Sequence, residues 1–138
     1  MAEKRLTKEI AEQFLADDES VDLSEFTVLD DEAAEILSRH KGDLYLDSLT
    51  SLSDAAAESL SNHEGRLSLN GLTSLSDVAA YSLRQFQGGE LFLEGLTSLS
   101  DIAAFCLSKC EGELCLRLDN LPASAAEILR QHWSFQDE

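Results

Sequence analysis

The sequence predicts an α/β protein built as a right-handed solenoid, with five short parallel strands on one side and six short helices on the other. A segment of 23 or 24 residues recurs along the chain, as is typical of repeat architectures. Within each copy, apolar residues occur first at every second position and then at every third or fourth, which predicts a strand followed by a helix. One such unit cannot bury its own leucines, so the copies must stack on one another.

The chain of 138 residues is long enough for one domain and too short for two ordinary ones. The most similar copies begin at Leu44, Leu67 and Leu91, and more divergent copies begin at Val21 and Leu116. We therefore predict a single repeat domain, residues 1–138, divided into a capping helix in 1–20, repeats 21–43, 44–66, 67–90, 91–115 and 116–132, and a C-terminal cap in 133–138.

The first half of each copy carries a leucine or another apolar residue at its first and third positions. Leu67 and Leu69 illustrate this alternation, which places both side chains on one face of a strand of about four or five residues. Parallel pairing of successive strands aligns such columns across a sheet. A further apolar column follows three residues later and holds Phe26, Leu49, Leu72, Leu96 and Leu121.

Residues typical of a helix start follow the strand and its turn. Ser76 offers an oxygen that caps free N–H groups, and Asp77 places a negative charge at the positive end of the helix. Two alanines and then a leucine follow at helical spacing. A glycine closes four of the copies and predicts a left-handed turn at the helix end: Gly42, Gly65, Gly88 and Gly112.

The terminal copies need caps because their outer faces would otherwise expose leucines. Ile10, Ala11 and Phe14 predict an amphipathic capping helix near the N-terminus. Trp133 and Phe135 follow the last helix, and we expect them to cover the core of the last copy. A partner-binding tail is the alternative for these two aromatic residues.

The LxLxxL strand core, the leucine-rich turn and the helix together resemble the leucine-rich repeat family over nearly the whole chain. The resemblance implies a concave sheet that binds proteins, and no particular chemistry. The common family pattern has Asn or Cys in the bend after the strand, where this chain has Leu or Phe, so the resemblance is to divergent bacterial-type repeats of 23–25 residues. We hypothesise that a column of threonine hydroxyls satisfies the backbone of the bend instead: Thr27, Thr50, Thr73 and Thr97.

The composition argues against several classes of partner. The 10 basic and 27 acidic residues give a formal charge of −17, so the basic face that nucleic acids and anionic membranes require is not expected. No apolar run approaches the roughly 20 residues of a membrane-spanning helix. Acids interrupt the N-terminal segment, so we expect no signal peptide. An odd, clustered set of cysteines favours a reducing compartment, and we expect a cytoplasmic protein.

The histidines raise the question of a metal site. His40, His63 and His132 occupy the same position in three copies, and stacking would bring His40 beside His63. Phe86 and Cys110 fill the same column in other copies. We interpret the column as a packing position in which a histidine bonds a terminal carbonyl, because a catalytic zinc would need three ligands.

Cys106, Cys110 and Cys115 also resemble a ligand set. Cys106 and Cys110 lie four residues apart and share one side of a helix, whereas Cys115 is expected on the opposite side of the sheet from the leucines. A zinc cluster needs a fourth, convergent ligand. We interpret Cys110 as a small apolar packing residue and expect no metal and no cofactor.

The residues between the buried leucines face the concave side, where two aromatic residues and two arginines lie among acids. Such residues are common anchors of protein interfaces. We predict that Tyr45 and Phe92, roughly 10 Å apart, anchor a partner and that Arg66 and Arg117 orient it. The full predicted site is Tyr45, Asp47, Arg66, Asn70, Glu90, Phe92, Glu94, Arg117 and Asp119.

A second surface competes on the helical side. Two helical positions that are polar or small in the early copies become apolar in the middle copies, at Val78, Tyr81, Ile102 and Phe105. If exposed, this cluster is an interface that suits weak self-association. Partial burial against neighbouring helices is the alternative.

No glycine-rich phosphate loop, nucleophile elbow or HExxH motif occurs, so we expect a non-enzymatic protein. We predict a scaffold or adaptor that binds a protein of basic character through the concave sheet. The main alternative is a stoichiometric inhibitor that masks a basic surface of a nucleic-acid-binding enzyme. A metal-dependent enzyme is the remote alternative.

Overall fold

The computed structural model describes residues 4–17, 19–40, 42–86 and 88–132. The strands are β1 (Arg5–Leu6), β2 (Val28–Leu29), β3 (Leu44–Tyr45), β4 (Leu67–Ser68), β5 (Glu90–Phe92) and β6 (Glu113–Cys115). The helices are α1 (Lys8–Ala16), α2 (Asp31–Leu37), α3 (Asp54–Leu60), α4 (Asp77–Leu83), α5 (Asp101–Ser108) and α6 (Ala123–Leu129). The predicted α/β class, with short parallel strands that alternate with helices, is confirmed.

The strands form two parallel sheets rather than the single predicted sheet. β3, β4, β5 and β6 pair in sequence order in the larger sheet. Each of these strands contributes one leucine to the same row: Leu44, Leu67, Leu91 and Leu114. β1 and β2 form a separate two-stranded sheet, in which Leu6 pairs with Leu29. The N-terminal segment therefore contributes a strand as well as the predicted helix α1.

The first copy does not form the predicted strand at Val21. Leu23–Glu25 is a 3₁₀ helix, and Asp22 is its capping residue. The Asp22 carboxylate accepts hydrogen bonds from the hydroxyl of Ser24 at 2.6 Å and from its backbone N–H at 3.1 Å. These bonds lower the pKa of Asp22. A local side-chain partner of this kind competes with strand pairing, which explains the difference.

The last copy lies in a different register from the prediction. Leu114 pairs with Leu91, whereas Leu116 was expected to begin the strand. The turn after β6 is a 3₁₀ helix at Leu118–Asn120. Leucines at positions 114, 116 and 118 satisfy the strand alternation in either register, so the pattern alone could not separate the two.

Leucines from the strands and leucines and alanines from the helices form one continuous apolar core. Leu67 of β4 and Leu83 of α4 are fully buried in it. Ala79 and Ala80 are also fully buried, and each helix packs against the next along the chain. The small alanine side chains allow neighbouring helix backbones to approach closely, so the helices form a layer behind the sheet.

Helix α4 ends at Leu83, and the residue that caps it, Arg84, has a right-handed conformation. Among the four glycines predicted to close a helix, all of which the structure describes, only Gly65 has a positive φ, of 144°, and it follows the end of α3 by several residues; Gly42, Gly88 and Gly112 do not, whereas Gly89 does, at 134°. Gly112 has another role, because a Cβ added there would lie 2.8 Å from the Gly89 carbonyl oxygen. At that position glycine permits a close approach between successive copies.

The threonine column does not work as hypothesised at Thr27, whose buried hydroxyl has no hydrogen-bond partner among the described residues. The backbone connects the copies instead. The Thr50 N–H donates to the Thr27 carbonyl at 3.3 Å, and the Thr97 N–H donates to the Thr73 carbonyl at 3.0 Å. The predicted C-terminal cap, with Trp133 and Phe135, lies outside the described residues.

Candidate functional site

The outward face of the larger sheet carries a row of four side chains in register: Tyr45, Ser68, Phe92 and Cys115. We call these residues the sheet row. Tyr45 is 48% exposed, whereas Ser68 is buried at 2%. Ser68 lies between the two aromatic residues in this row, which places Tyr45 and Phe92 two strand spacings or about 10 Å apart.

Arg117 does not belong to the sheet row, contrary to the prediction. Cys115 occupies the predicted place of Arg117 beside Phe92, because of the shifted register of the last copy. Arg117 is exposed and precedes the 3₁₀ helix that contains Asp119. These two predicted site residues therefore lie beyond the end of β6.

A polar network holds the Tyr45 end of the sheet row. The Tyr45 hydroxyl donates to the Asp43 carboxylate at 3.3 Å, and the Arg66 backbone N–H donates to the same carboxylate at 3.0 Å. The bond from the Arg66 N–H is the main cause that lowers the pKa of Asp43. The Arg66 guanidinium also forms a 2.5 Å ion pair with Glu90. Asp43 was not among the predicted site residues, although it precedes β3 as Arg66 precedes β4.

Two of the residues predicted to contact a partner, Asp47 and Asn70, form hydrogen bonds within the protein instead. The Asp47 carboxylate accepts the Ser68 hydroxyl at 2.5 Å and the Asn70 backbone N–H at 3.0 Å. The Asn70 side-chain oxygen accepts the Glu94 backbone N–H at 2.8 Å. Asp47 and Asn70 thus connect successive copies, which leaves the exposed Glu94 carboxylate as the outward group of this column.

On the opposite side, the apolar cluster of α4 and α5 is exposed rather than packed away. We call it the helical patch, and its members are Val78 (55% exposed), Tyr81 (53%), Ile102 (63%) and Phe105 (56%). The Arg84 guanidinium lies over the Tyr81 ring at 4.2 Å, and the Lys109 ammonium lies over the Phe105 ring at 5.0 Å. Each aromatic ring is therefore flanked by a cation near the end of its helix.

The column that holds His40, His63, Phe86, Cys110 and His132 consists mainly of packing positions. His63 and Phe86 are buried, and the His40 ring packs on Phe14 with ring centroids 4.7 Å apart. His132 is buried, and its Nε2 lies 2.7 Å from the Cys110 carbonyl oxygen, which is the kind of contact predicted for this column. Neither ring nitrogen of His63 has a hydrogen-bond partner in the described part of the chain.

The structure separates the three cysteines. Cys110 is buried, and its Sγ lies 3.5 Å from the Phe86 carbonyl oxygen. Cys115 lies instead with Glu90 and Glu113, where the possible ligand atoms of the three side chains are all within 4.8 Å of one another. The Arg66 guanidinium contacts Glu90 and supplies that carboxylate with a cation. Burial, followed by the charge of Glu113, raises the pKa of the Cys115 thiol to about 11.

Neither known protein families nor curated proteins nor solved structures match this chain in comparisons of its sequence and structure. Among the described residues, none of the helices has both the length and the apolar character that crossing a bilayer requires.

Proposed function

We propose that the chain is a non-catalytic protein-interaction module that binds a basic segment of a partner protein across the sheet row. One observation carries the proposal: Tyr45 is half exposed, its hydroxyl donates to Asp43, and it pairs across the sheet with the small, buried Ser68. An aromatic side chain that is fixed before binding loses little conformational entropy on contact, which makes it an effective anchor.

The charge around the sheet row supports a basic partner. Glu90, Glu94 and Glu113 lie on or next to β5 and β6, and Asp43 lies at the other end of the row. Arg66 forms an ion pair with Glu90 and its charge also acts on Asp43. Carboxylates around an aromatic anchor attract lysine and arginine side chains and select against acidic segments.

Architecture and location are part of the same proposal. The successive parallel pairings of β3 to β6, with helices behind them, support a right-handed leucine-rich-repeat solenoid with the sheet row on its concave side. The three free cysteines support a reducing compartment, and we place the module in the cytoplasm.

The test measures binding of fluorescent peptides that carry an apolar residue between lysines, against acidic peptides of the same length. We expect Tyr45→Ala with Phe92→Ala to weaken binding of the basic peptides about 30-fold, which corresponds to about 2 kcal/mol for a true anchor. Tyr81→Ser with Phe105→Ser is the matched control, since it removes two aromatic residues from the other side. Equal binding of acidic and basic peptides, or an unchanged affinity of the first variant, would contradict the proposal.

A further inference from the structure

The helical patch carries opposite charges at its two ends. Asp77 and Asp101 begin α4 and α5 and are exposed, whereas Arg84 and Lys109 follow the same two helices. The four apolar side chains lie between these ends. The patch therefore has an acidic end, an apolar middle and a basic end, and both helices run in the same direction along it.

We propose that the helical patch is the interface of a symmetric homodimer in which α4 and α5 lie antiparallel to the same helices of a second copy. A two-fold axis in the plane of the interface and perpendicular to the helices produces this arrangement. It places Asp77 opposite Arg84 of the second copy. It likewise places Asp101 opposite Lys109 of the second copy. This proposal uses a different surface from the proposed peptide site and does not depend on it.

The arrangement is self-complementary in its apolar part. Under the same axis, Tyr81 lies against Val78 of the second copy and Phe105 lies against Ile102 of the second copy. A large side chain thus faces a smaller one at each position, which favours close packing. Because a two-fold axis repeats every contact, one favourable pair of surfaces counts twice.

The neighbouring helices favour the antiparallel arrangement over the parallel one. The positions equivalent to the helical patch are Ala55 and Glu58 on α3 and Ser124 and Glu127 on α6. A two-fold axis parallel to the helices would place α3 against α6 of the second copy, with Glu58 facing Glu127. It would also bring the acidic ends together. The antiparallel axis instead places each glutamate opposite a small residue, so like charges are kept apart.

The expected dimer is weak and responds to salt. Four side chains that are 53 to 63% exposed form a small contact, below the roughly 1,200 Å² of a typical stable interface. Each copy also carries a formal charge of −17, so the two copies repel each other over long distances. Added salt screens this repulsion and should strengthen association. Binding of a basic peptide to the sheet row should weaken under the same change.

The test is sedimentation equilibrium from micromolar to millimolar protein, with the full chain. We expect the average mass to rise from 15.1 kDa toward twice that value, and to rise at lower concentration when salt is added. Tyr81→Ser with Phe105→Ser should remain monomeric throughout. Arg84→Glu with Lys109→Glu should also remain monomeric, because it places acids opposite Asp77 and Asp101.

Arg39→Glu with Arg130→Glu is the matched control, since it changes the net charge equally after α2 and α6, outside the helical patch. This variant should dimerise as the parent does, and circular dichroism should confirm that all variants are folded. A parent chain that is monomeric at every concentration would overturn the proposal. So would a Tyr81→Ser with Phe105→Ser variant that associates normally. Association of the Arg84→Glu with Lys109→Glu variant at parental strength would overturn the antiparallel arrangement.

Discussion

His63 is a buried imidazole in a column whose other members show what the site requires. Phe86, one copy later, is also fully buried; a Cβ added at Gly65 would lie 3.0 Å from the His63 ring, and one added at Gly112 of the next copy would lie 2.9 Å from the Phe86 ring. The His63 ring is buried without a hydrogen-bond partner in the described part of the chain. At these two positions the column accepts a buried flat ring whether or not the ring carries polar atoms.

We predict that His63→Phe raises the free energy of unfolding by about 1 kcal/mol at neutral pH, because it removes unpartnered buried nitrogens. The substitution should also make the free energy of unfolding less dependent on pH in the acid range. Burial lowers the pKa of His63 below 6.5, opposed by backbone groups of Arg66 and reinforced by the charge of His40. The unfolded chain then takes up the proton at a higher pH than the folded one, so the parent loses stability as the pH falls below 6.5.

Urea denaturation between pH 7 and pH 5 measures this difference. The parent should lose more stability over this range than His63→Phe does. Equal slopes for the two proteins would contradict the assignment of this acid sensitivity to His63.

Cys115 is more exposed than Cys106 and Cys110, yet its thiol is expected to react slowly. A pKa of about 11 leaves very little thiolate at neutral pH, and the thiolate is the reactive form. We predict that iodoacetamide modifies Cys115 about a hundredfold more slowly at pH 7 than it modifies a thiol of ordinary pKa. Mass spectrometry of tryptic peptides follows each cysteine separately. Rapid labelling of Cys115 at pH 7 would contradict the prediction, as would a rate that does not rise between pH 8 and pH 10.

At the scale of the element, the helix starts connect the copies to one another. Each capping serine has two bonds, as Ser76 shows: its hydroxyl oxygen accepts the Ala79 N–H at 3.0 Å, and its O–H donates to Asp54 of the preceding helix at 2.6 Å. Ser100 binds Asp77 in the same way, at 2.5 Å. We call this series of bonds the serine–aspartate ladder, with members Asp31, Ser53, Asp54, Ser76, Asp77, Ser100, Asp101 and Ser124.

We predict that Ser76→Ala lowers the free energy of unfolding by about 1 to 2 kcal/mol, because it removes a helix cap and a bond between two helices. Ser74→Ala is the control, since it makes the same chemical change at an exposed position two residues earlier and should change stability by less than about 0.5 kcal/mol. Thermal and urea denaturation measure both variants. A loss no larger for Ser76→Ala than for Ser74→Ala would show that the ladder does not stabilise the fold.

The sequence predicted the helix starts because capping depends on two or three neighbouring residues. It predicted Ser76 and Asp77 as helix-start residues, but not that the hydroxyl would also reach Asp54, since that contact depends on how two copies stack. The same reason explains Asp47, which was expected to face a partner and instead accepts the backbone N–H of Asn70 in the next copy. Contacts within one copy could be predicted from the pattern, whereas contacts between copies required the register.

At the scale of the whole molecule, charge is the dominant feature. The acidic residues of a chain with a formal charge of −17 repel one another in the folded state. Glu12, Glu32 and Glu35 line one cleft between α1 and α2, where Lys8 and Arg39 offset a part of their charge. Salt weakens this repulsion over the Debye length of about 8 Å at physiological ionic strength. Screening should lower the free energy of the compact folded state more than that of the expanded unfolded state.

We predict that raising the ionic strength from a few millimolar to the physiological range increases the thermal midpoint by roughly 4 °C, which corresponds to about 1 kcal/mol for a chain of this size. Glu12→Gln with Glu32→Gln should show a smaller increase, since part of the repulsion has been removed. Scanning calorimetry measures both proteins. A midpoint that falls with added salt would mean that attractive ion pairs outweigh the repulsion.

The serine–aspartate ladder also distinguishes the interior copies, which can form ladder bonds on both sides, from the terminal ones, which can form them on one side only. Helix α2 begins after Asp30 rather than a serine, and α6 begins at Ala123 rather than an aspartate, so neither helix can extend the ladder outward. The copies in between offer a serine on one side and an aspartate on the other, and residues 67–90 could be duplicated in tandem with every ladder bond renewed. A further copy inserted between interior copies would therefore keep the ladder continuous, whereas a copy placed before α2 or after α6 would meet a helix start without the ladder partner it needs.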